Sequence, residues 1–271
     1  MRGAPGSGYP ASRGVEVKTV TQQKQSVRYG ENPADFHSHI LPGMDDGSQS
    51  VEMSVAMLEE TARQGISTIV ATPHFYPERE SPDSFLARRD RAVTQLLRGG
   101  YDRACHPRVC VGAEVAYFPG IGRCQDLKRL CILGTKVVLI EMPFRSWTDT
   151  MVEDIISVRS SLGLMPTLAH IDRYGAFRSH ATLNKLIDNG VILQINASVY
   201  ESVLSRSRGI HMLMSGQVQL LGSDCHNVTN RPQRLGTALE AIRKKSDRSL
   251  LPQMREFSHF LLREARSLVD M

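Results

Sequence analysis

No run of apolar residues approaches the roughly eighteen that a membrane-spanning helix needs. The first thirty residues hold no apolar stretch of the signal-peptide kind either. The expectation is therefore a cytoplasmic protein with no membrane insertion. Cysteine is sparse: five residues, at 105, 110, 124, 131 and 225, with no C-x-x-C pair and an odd count. That excludes a disulfide framework and a thiolate zinc knuckle, and most of the cysteines read as small buried hydrophobes. No short repeat period is present, which excludes a solenoid.

Excess charge is also missing from most of the chain. The net charge is +5, and residues 1 to 30 alone carry Arg2, Arg13, Lys18, Lys24 and Arg28 against Glu16. The remainder is close to neutral, so no nucleic-acid partner is expected. Residues 1–32 read as a basic, disordered, Gly/Ser/Gln-rich leader. Residues 33–271 read as one domain, and 41% hydrophobic residues over 271 suffice for a sizeable core.

Beyond residue 33 the chain alternates short β-rich runs with helical patterns. ADFHSHI, STIVATPH, RVCVGAEVAY, KVVLIEMPF, MPTLAHI, VILQINASV and VQLLGSDCHN read as seven strands. SVEMSVAMLEETARQG, SPDSFLARRDRAVTQLLRGG and TDTMVEDIISVRSSLG read as helices, with Thr148 as a cap and Gly163 as a stop. This alternation implies parallel strands covered by helices, and seven units favour an α/β barrel over an open sheet.

The strand ends carry the chemistry. In a parallel barrel, active-site residues come from the C-terminal ends of several strands. Here those ends supply His37 and His39, His74, Glu114, Glu141, His170, and Asp224 with His226. Any one of them alone would be unremarkable chain leaving the core. A carboxylate beside an apolar strand costs several kcal/mol if buried unpaired, and solvated termini would not coordinate the same choice on six strands. Imidazole and carboxylate without thiolate suit manganese, iron or zinc in a catalytic site. The ligands exceed the needs of one ion, and two or three divalent ions would form a clamp for hydrolysing a phosphate ester.

DFHSHILPGMDDGS, VATPHFY, GAEVAY, LIEMPF, LAHIDRY and GSDCHN, with Arg231 shortly after, occur in this order across about residues 34 to 235. In these blocks the chain resembles the polymerase-and-histidinol-phosphatase (PHP) superfamily. Within it, the likeness is to the bacterial tyrosine phosphatases of capsule and exopolysaccharide synthesis. The resemblance implies a distorted (β/α)7 barrel with a trinuclear metal site at the C-terminal ends of the strands. By carry-over, His37, His39, Glu114 and Asp224 would hold the first ion. Glu114 would bridge to a second, also held by Glu141 and His170. Asp46, His74 and His226 would hold the third. Arg173 and Arg231 match the phosphate-binding arginines, and Asp45 reads as a turn residue or one that supports a ligand. Cys225 between two ligands, and Asp172 where glutamate is common, are the departures.

The implied activity is a metal-dependent protein-tyrosine phosphatase using metal-activated hydroxide, with Mn²⁺ as the leading ion and Fe or Zn as alternatives. The implied partner is the tyrosine-rich tail of a membrane-associated autokinase. A rival reading keeps the metals and takes a small phosphate monoester such as histidinol phosphate. Those relatives often begin H-x-D-x-H-x-H, whereas this chain has D-F-H-S-H. A barrel kept only as a structural module would be expected to have lost ligands, and none is missing. Cys225 and Arg231 also spell C-x₅-R, the spacing of cysteine-dependent tyrosine phosphatases. The loop between them lacks glycine, and Asp224 beside the thiol would disfavour the thiolate, so the match reads as a decoy.

Overall fold

The computed structural model describes residues 30–271; the leader expected over 1–32 lies almost wholly outside the described residues. The elements run β1 (Asp35–Ser38), α1 (Val51–Arg63), β2 (Thr68–Ala71), β3 (His74–Phe75), α2 (Pro82–Arg98), β4 (Arg108–Val111), β5 (Glu114–Ala116) and β6 (Val137–Glu141). They continue with α3 (Asp149–Leu162), β7 (Met165–Leu168), α4 (His180–Asp188), β8 (Ile192–Asn196), α5 (Val203–Met214), β9 (Leu220–Gly222), α6 (Leu235–Lys245) and α7 (Leu250–Leu261). The segment between β5 and β6, which has no clear period in the sequence, forms 3₁₀ turns at Ile121–Arg123 and Gln125–Arg129.

All pairings between named strands are parallel. β1, β2 and β4 form one ladder, and β3, β5, β6, β7, β8 and β9 the other. Two of the expected strands are interrupted rather than continuous. STIVATPH breaks at Thr72 and Pro73, and RVCVGAEVAY at Gly112 and Ala113. Backbone bonds from Gly112 N to Ala71 O (2.8 Å) and from Glu114 N to Pro73 O (3.0 Å) carry the pairing across the break. Proline has no N–H to give a ladder, which accounts for a break at Pro73. Counting each interrupted run once, the seven expected strands are present, and the fold is the distorted α/β barrel.

The ring closes through a polar seam between β1 and the chain after β9. Asp224 N donates to His37 O (2.8 Å) and His39 N donates to Cys225 O (2.9 Å). Beneath them Asp35, fully buried, accepts from Ser223 N and the Gln233 amide, both at 2.8 Å. Burial pushes the Asp35 carboxyl up from its usual value, and these donors only partly offset that.

Local signals set the helix ends. Ser50, Ser81, Thr148, Ser179 and Ser202 each accept the backbone N–H three residues on. Each such cap stabilises its helix by about 1 kcal/mol. Gly163 ends α3 in the left-handed conformation, φ 68°, where a side chain would be strained. Alternate strand residues such as Ile69, Val111, Ile140 and Leu193 join the helices in the main core. Val70, Cys110, Val137 and Leu220 instead pack with Leu261, Leu262 and Ala265 from the end of the chain. Arg108 donates to the carbonyls of Leu262 and Ala265, tying that closing segment to β4.

Gly222 ends β9 where a Cβ would lie 2.5 Å from Gln194 Nε2 and 2.6 Å from His37 Cβ. Gly222→Ala is expected to cost about 1–3 kcal/mol by overpacking this spot. In a thermal melt that is a fall of roughly 2–4 °C per kcal/mol. An unchanged Tm would show that the seam yields to an extra methyl.

Candidate metal centre

The seam places His37 and His39 with their rings fully buried, and their Nε2 atoms are 3.1 Å apart. Glu114, 1% exposed, is the hub. Its Oε2 lies 3.1 Å from His37 Nε2, 3.4 Å from His39 Nε2 and 3.0 Å from His74 Nδ1. Its other oxygen meets His170 Nε2 at 3.0 Å. Glu141, the last residue of β6, reaches the same His170 nitrogen at 3.3 Å. Asp224 Oδ1 lies 3.6 Å from His37 Nε2, 3.5 Å from His39 Nε2 and 3.6 Å from His226 Nδ1. Asp46, 65% exposed, caps the outer side, 3.5 Å from His74 Nε2 and 3.4 Å from His226 Nε2. All nine ligand candidates therefore stand in one continuous centre.

Three groups within it offer donor atoms mutually close enough for an ion: His37, His39 and Asp224; His74, Glu114 and Glu141; and His39, Asp46, His74 and His226. His39 and His74 each belong to two of these groups, so the structure shares residues that the carried-over sets keep apart.

Both arginines meet the centre through Asp224. Arg173 Nη2 donates to Asp224 Oδ2, and Arg231 Nη2 to Oδ1 at 2.9 Å. The two line a cleft of about 180 Å³ together with Asn196 and Ser223.

The electrostatics ask for cations. Burial would raise the Glu114 carboxyl, but His37 and the other imidazoles hold it well below the usual range. Asp224 is likewise held low against burial by His37, His39 and Arg173. Burial opposes a charge on His39, yet Asp45, Asp224 and Glu114 carry its pKa well above the usual value. His170 rises against burial to about 9 through Glu114 and Glu141. His226 goes the other way: burial and the charge of His39 lower it to about 4, leaving a neutral imidazole. The carboxylates thus recruit positive charge, and a divalent cation satisfies the same demand. Glu114 Oε2, His74 Nδ1 and His226 Nε2 are buried without a hydrogen-bond partner, as metal donor atoms would be. The donor set and these orphaned atoms fit divalent ions.

A supporting layer orients the ligands, and most of it escaped the sequence reading. Asp45, which that reading placed at a turn or in support of a ligand, does both. It accepts from His39 Nδ1 at 2.8 Å, from His74 N at 2.9 Å and from Gly47 N at 2.9 Å. This fixes the ring so that Nε2 faces the centre. Gly47 is required here because a Cβ would lie 2.4 Å from the His39 carbonyl. The missed residues are Gln194 and Asn196. Gln194 Oε1 accepts from His170 N (2.8 Å) and sits 3.3 Å from His37 Nδ1. Gln194 Nε2 donates to Asn196 Oδ1, and Asn196 Nδ2 donates to Asp224, both at 2.9 Å. Two amides at i and i+2 of the apolar run ILQIN were the available signal.

Two ligand candidates also have an unusual backbone. His170 has φ 33° and Asp224 φ 54°. Both follow the end of a strand rather than continuing it, so strict alternation does not apply to Asp224, Cys225 and His226. Cys225 is nevertheless fully buried in the main core, away from the cleft. Burial, with Asp35 adding to it, pushes its thiol well up.

The family model described as capsular polysaccharide synthesis, CpsB/CapC, matches residues 33–256. The tyrosine-protein phosphatase CpsB of Streptococcus agalactiae serotype V is 30% identical over 220 residues, covering 77% of this chain and 88% of that protein. The tyrosine-protein phosphatase YwqE of Bacillus subtilis (strain 168) is 28% identical over 238 residues, covering 84% and 91%. Among solved structures, one described as YwqE from Bacillus subtilis and CpsB from Streptococcus pneumoniae, metal-dependent tyrosine phosphatases, superposes with a TM-score of 0.74. It is 27% identical and covers 86% of this chain and 95% of that one. A histidinol phosphate phosphatase from Lactococcus lactis, complexed with zinc, L-histidinol and phosphate, gives 0.52 at 12% identity over 79% and 93%, a likeness of fold alone.

Two outcomes follow from the site. Asp45→Ala should weaken metal affinity about 10–100-fold, the usual cost of losing a ligand's support. Calorimetric metal titration measures this, and unaltered affinity would mean that His39 needs no orienting partner. Cys225→Ser should keep most of the turnover. In mass spectrometry of the alkylated native protein, Cys225 should remain unmodified. Lost turnover with fold and metal content intact would make the thiol the nucleophile.

Proposed function

Because the chain belongs to the capsular polysaccharide synthesis CpsB/CapC family, we propose that it is a metal-dependent protein-tyrosine phosphatase acting on a tyrosine autokinase of exopolysaccharide synthesis. The observation that carries this reading is the meeting of eight imidazole and carboxylate side chains from six strand runs, with Glu114 as their hub and Asp46 joining them from the loop after β1. The likeness to proteins named tyrosine-protein phosphatase supports the substrate class. No helix among the described residues is long and apolar enough to cross a membrane, which accords with a cytoplasmic enzyme meeting the kinase tail at the membrane surface.

In this reading His37, His39, Glu114 and Asp224 hold one divalent ion, and Glu114, Glu141 and His170 a second. Asp46, His74 and His226 hold the third, with Mn²⁺ as the leading ion and Fe or Zn as alternatives. Bound ions supply Lewis acidity for the phosphoryl oxygens and lower the pKa of water enough for attack near neutral pH. Asp45 and Gln194 keep the ligand rings turned inward. Arg173 and Arg231, now on Asp224, are placed to exchange that carboxylate for phosphoryl oxygens, whose geometry suits the planar guanidinium fork. They neutralise charge that grows on those oxygens as the ester bond breaks. The departing tyrosine is a phenol of pKa about 10, a good leaving group that needs little protonation.

The test combines elemental analysis with assays on a phosphotyrosine peptide and on histidinol phosphate. Chelation should abolish hydrolysis of the peptide, and Mn²⁺ should restore it. His39→Ala should lose metal and activity together. Arg231→Ala should keep its metal and lose about 10–100-fold in kcat/KM, the cost of a charged hydrogen bond. Full activity after chelation, or a preference for histidinol phosphate, would sink the reading.

A further inference from the structure

Phe144 follows Glu141 by three residues, on the loop leaving β6. It is the one large hydrophobic among the described residues that is both exposed, at 54%, and stacked on a member of the metal centre. Its ring is nearly parallel to that of His170, at 13° and 6.2 Å between centroids. His170 in turn touches Glu114 and Glu141. The inner side of Phe144 is held by a built support. Tyr174, fully buried, packs 5.2 Å away, and Phe177 stands edge-on at 6.3 Å. Trp147 packs on Tyr174 at 5.1 Å, and its backbone N–H donates to Phe177 O at 3.0 Å. The β6–α3 loop is thereby fastened to the 3₁₀ turn Ile171–Tyr174, which carries Arg173.

Three aromatic side chains hold a fourth partly in water. Leaving a Phe side chain exposed forgoes about 1.5–3 kcal/mol of burial, so an apolar group on its outer face would be stabilised there. Aromatic rings prefer such offset-stacked neighbours. In phosphotyrosine only one oxygen separates phosphorus from the phenyl ring. A phosphate gripped at the centre therefore leaves its ring just outside the centre, where side chains at the rim can contact it. Tyr76, which stacks on His74, is less available, because its ring already carries His74 at 5.3 Å and the Arg79 guanidinium at 4.4 Å.

We infer that Phe144 is the stacking platform for the substrate's phenyl ring, and so selects aryl over alkyl phosphate monoesters. This rests on the phosphotyrosine reading of the same site. The experiment uses the full chain loaded with Mn²⁺ and measures KM for a phosphotyrosine peptide beside the inhibition constant of inorganic phosphate, which has no ring. Phe144→Ala should raise KM roughly five- to tenfold, the worth of one aromatic contact, and leave phosphate inhibition unchanged. Phe144→Trp should restore KM to near the parent value. An unchanged KM in Phe144→Ala, a parallel rise in the phosphate constant, or a failure of Phe144→Trp to improve on Phe144→Ala would overturn the platform. If the unsubstituted enzyme hydrolyses no phosphotyrosine peptide, the functional reading itself fails and takes the platform with it.

Discussion

The rest of the structure depends on one buried carboxylate. Glu114 presents one oxygen to His37, His39 and His74 and the other to His170. An unpaired carboxylate at that depth would cost several kcal/mol, more than a single hydrogen bond returns. The cost is offset only when positive charge gathers round it. Four strand runs must therefore bring a residue to one point, and their imidazoles must face the same way. The break at Gly112 and Ala113 belongs to this constraint, since it starts β5 on Glu114 itself.

Orientation is the second demand. An imidazole can turn either nitrogen inward, and a bare ring in a cavity would sample both. Asp45 removes that freedom for His39, and Gln194 does so for His37 while also binding the backbone of His170. Asn196 passes the same chain of bonds to Asp224. His170 and Asp224 hold a left-handed backbone that costs a non-glycine residue of order 1–3 kcal/mol. Such strain persists where surrounding bonds over-determine it, and both residues sit at the end of this network.

The outer side of the centre is of a different kind. Asp46 is open to solvent, and Arg173 and Arg231 reach in from two loops. Buried ligand candidates lie below, and more exposed charged side chains lie above. In the proposed reading, a phosphoryl group approaching from solvent meets the arginines first. The aromatic loop beside His170 gives this entrance an apolar wall.

The sequence by itself determined the parts whose signals are local. The cap at Thr148 read directly because its hydroxyl acts on an N–H group three residues away. Eight of the nine ligand candidates were legible because an apolar strand run ending in His, Glu or Asp is chemically odd and the oddity recurs down the chain; Asp46 came only through the family resemblance. Tertiary structure decided what depends on distance in space. Gln194 and His37 are 157 residues apart, and nothing near either names the other as partner. The sharing of His39 and His74 between ligand groups, and the turning of Arg173 and Arg231 onto Asp224, also arise only when strands from distant parts of the chain converge. The backbone of Asp224 shows the boundary most plainly. Its residue type was readable as a ligand candidate, but its φ of 54° accompanies the hydrogen bonds that close β9 onto β1, and these exist only in the folded ring.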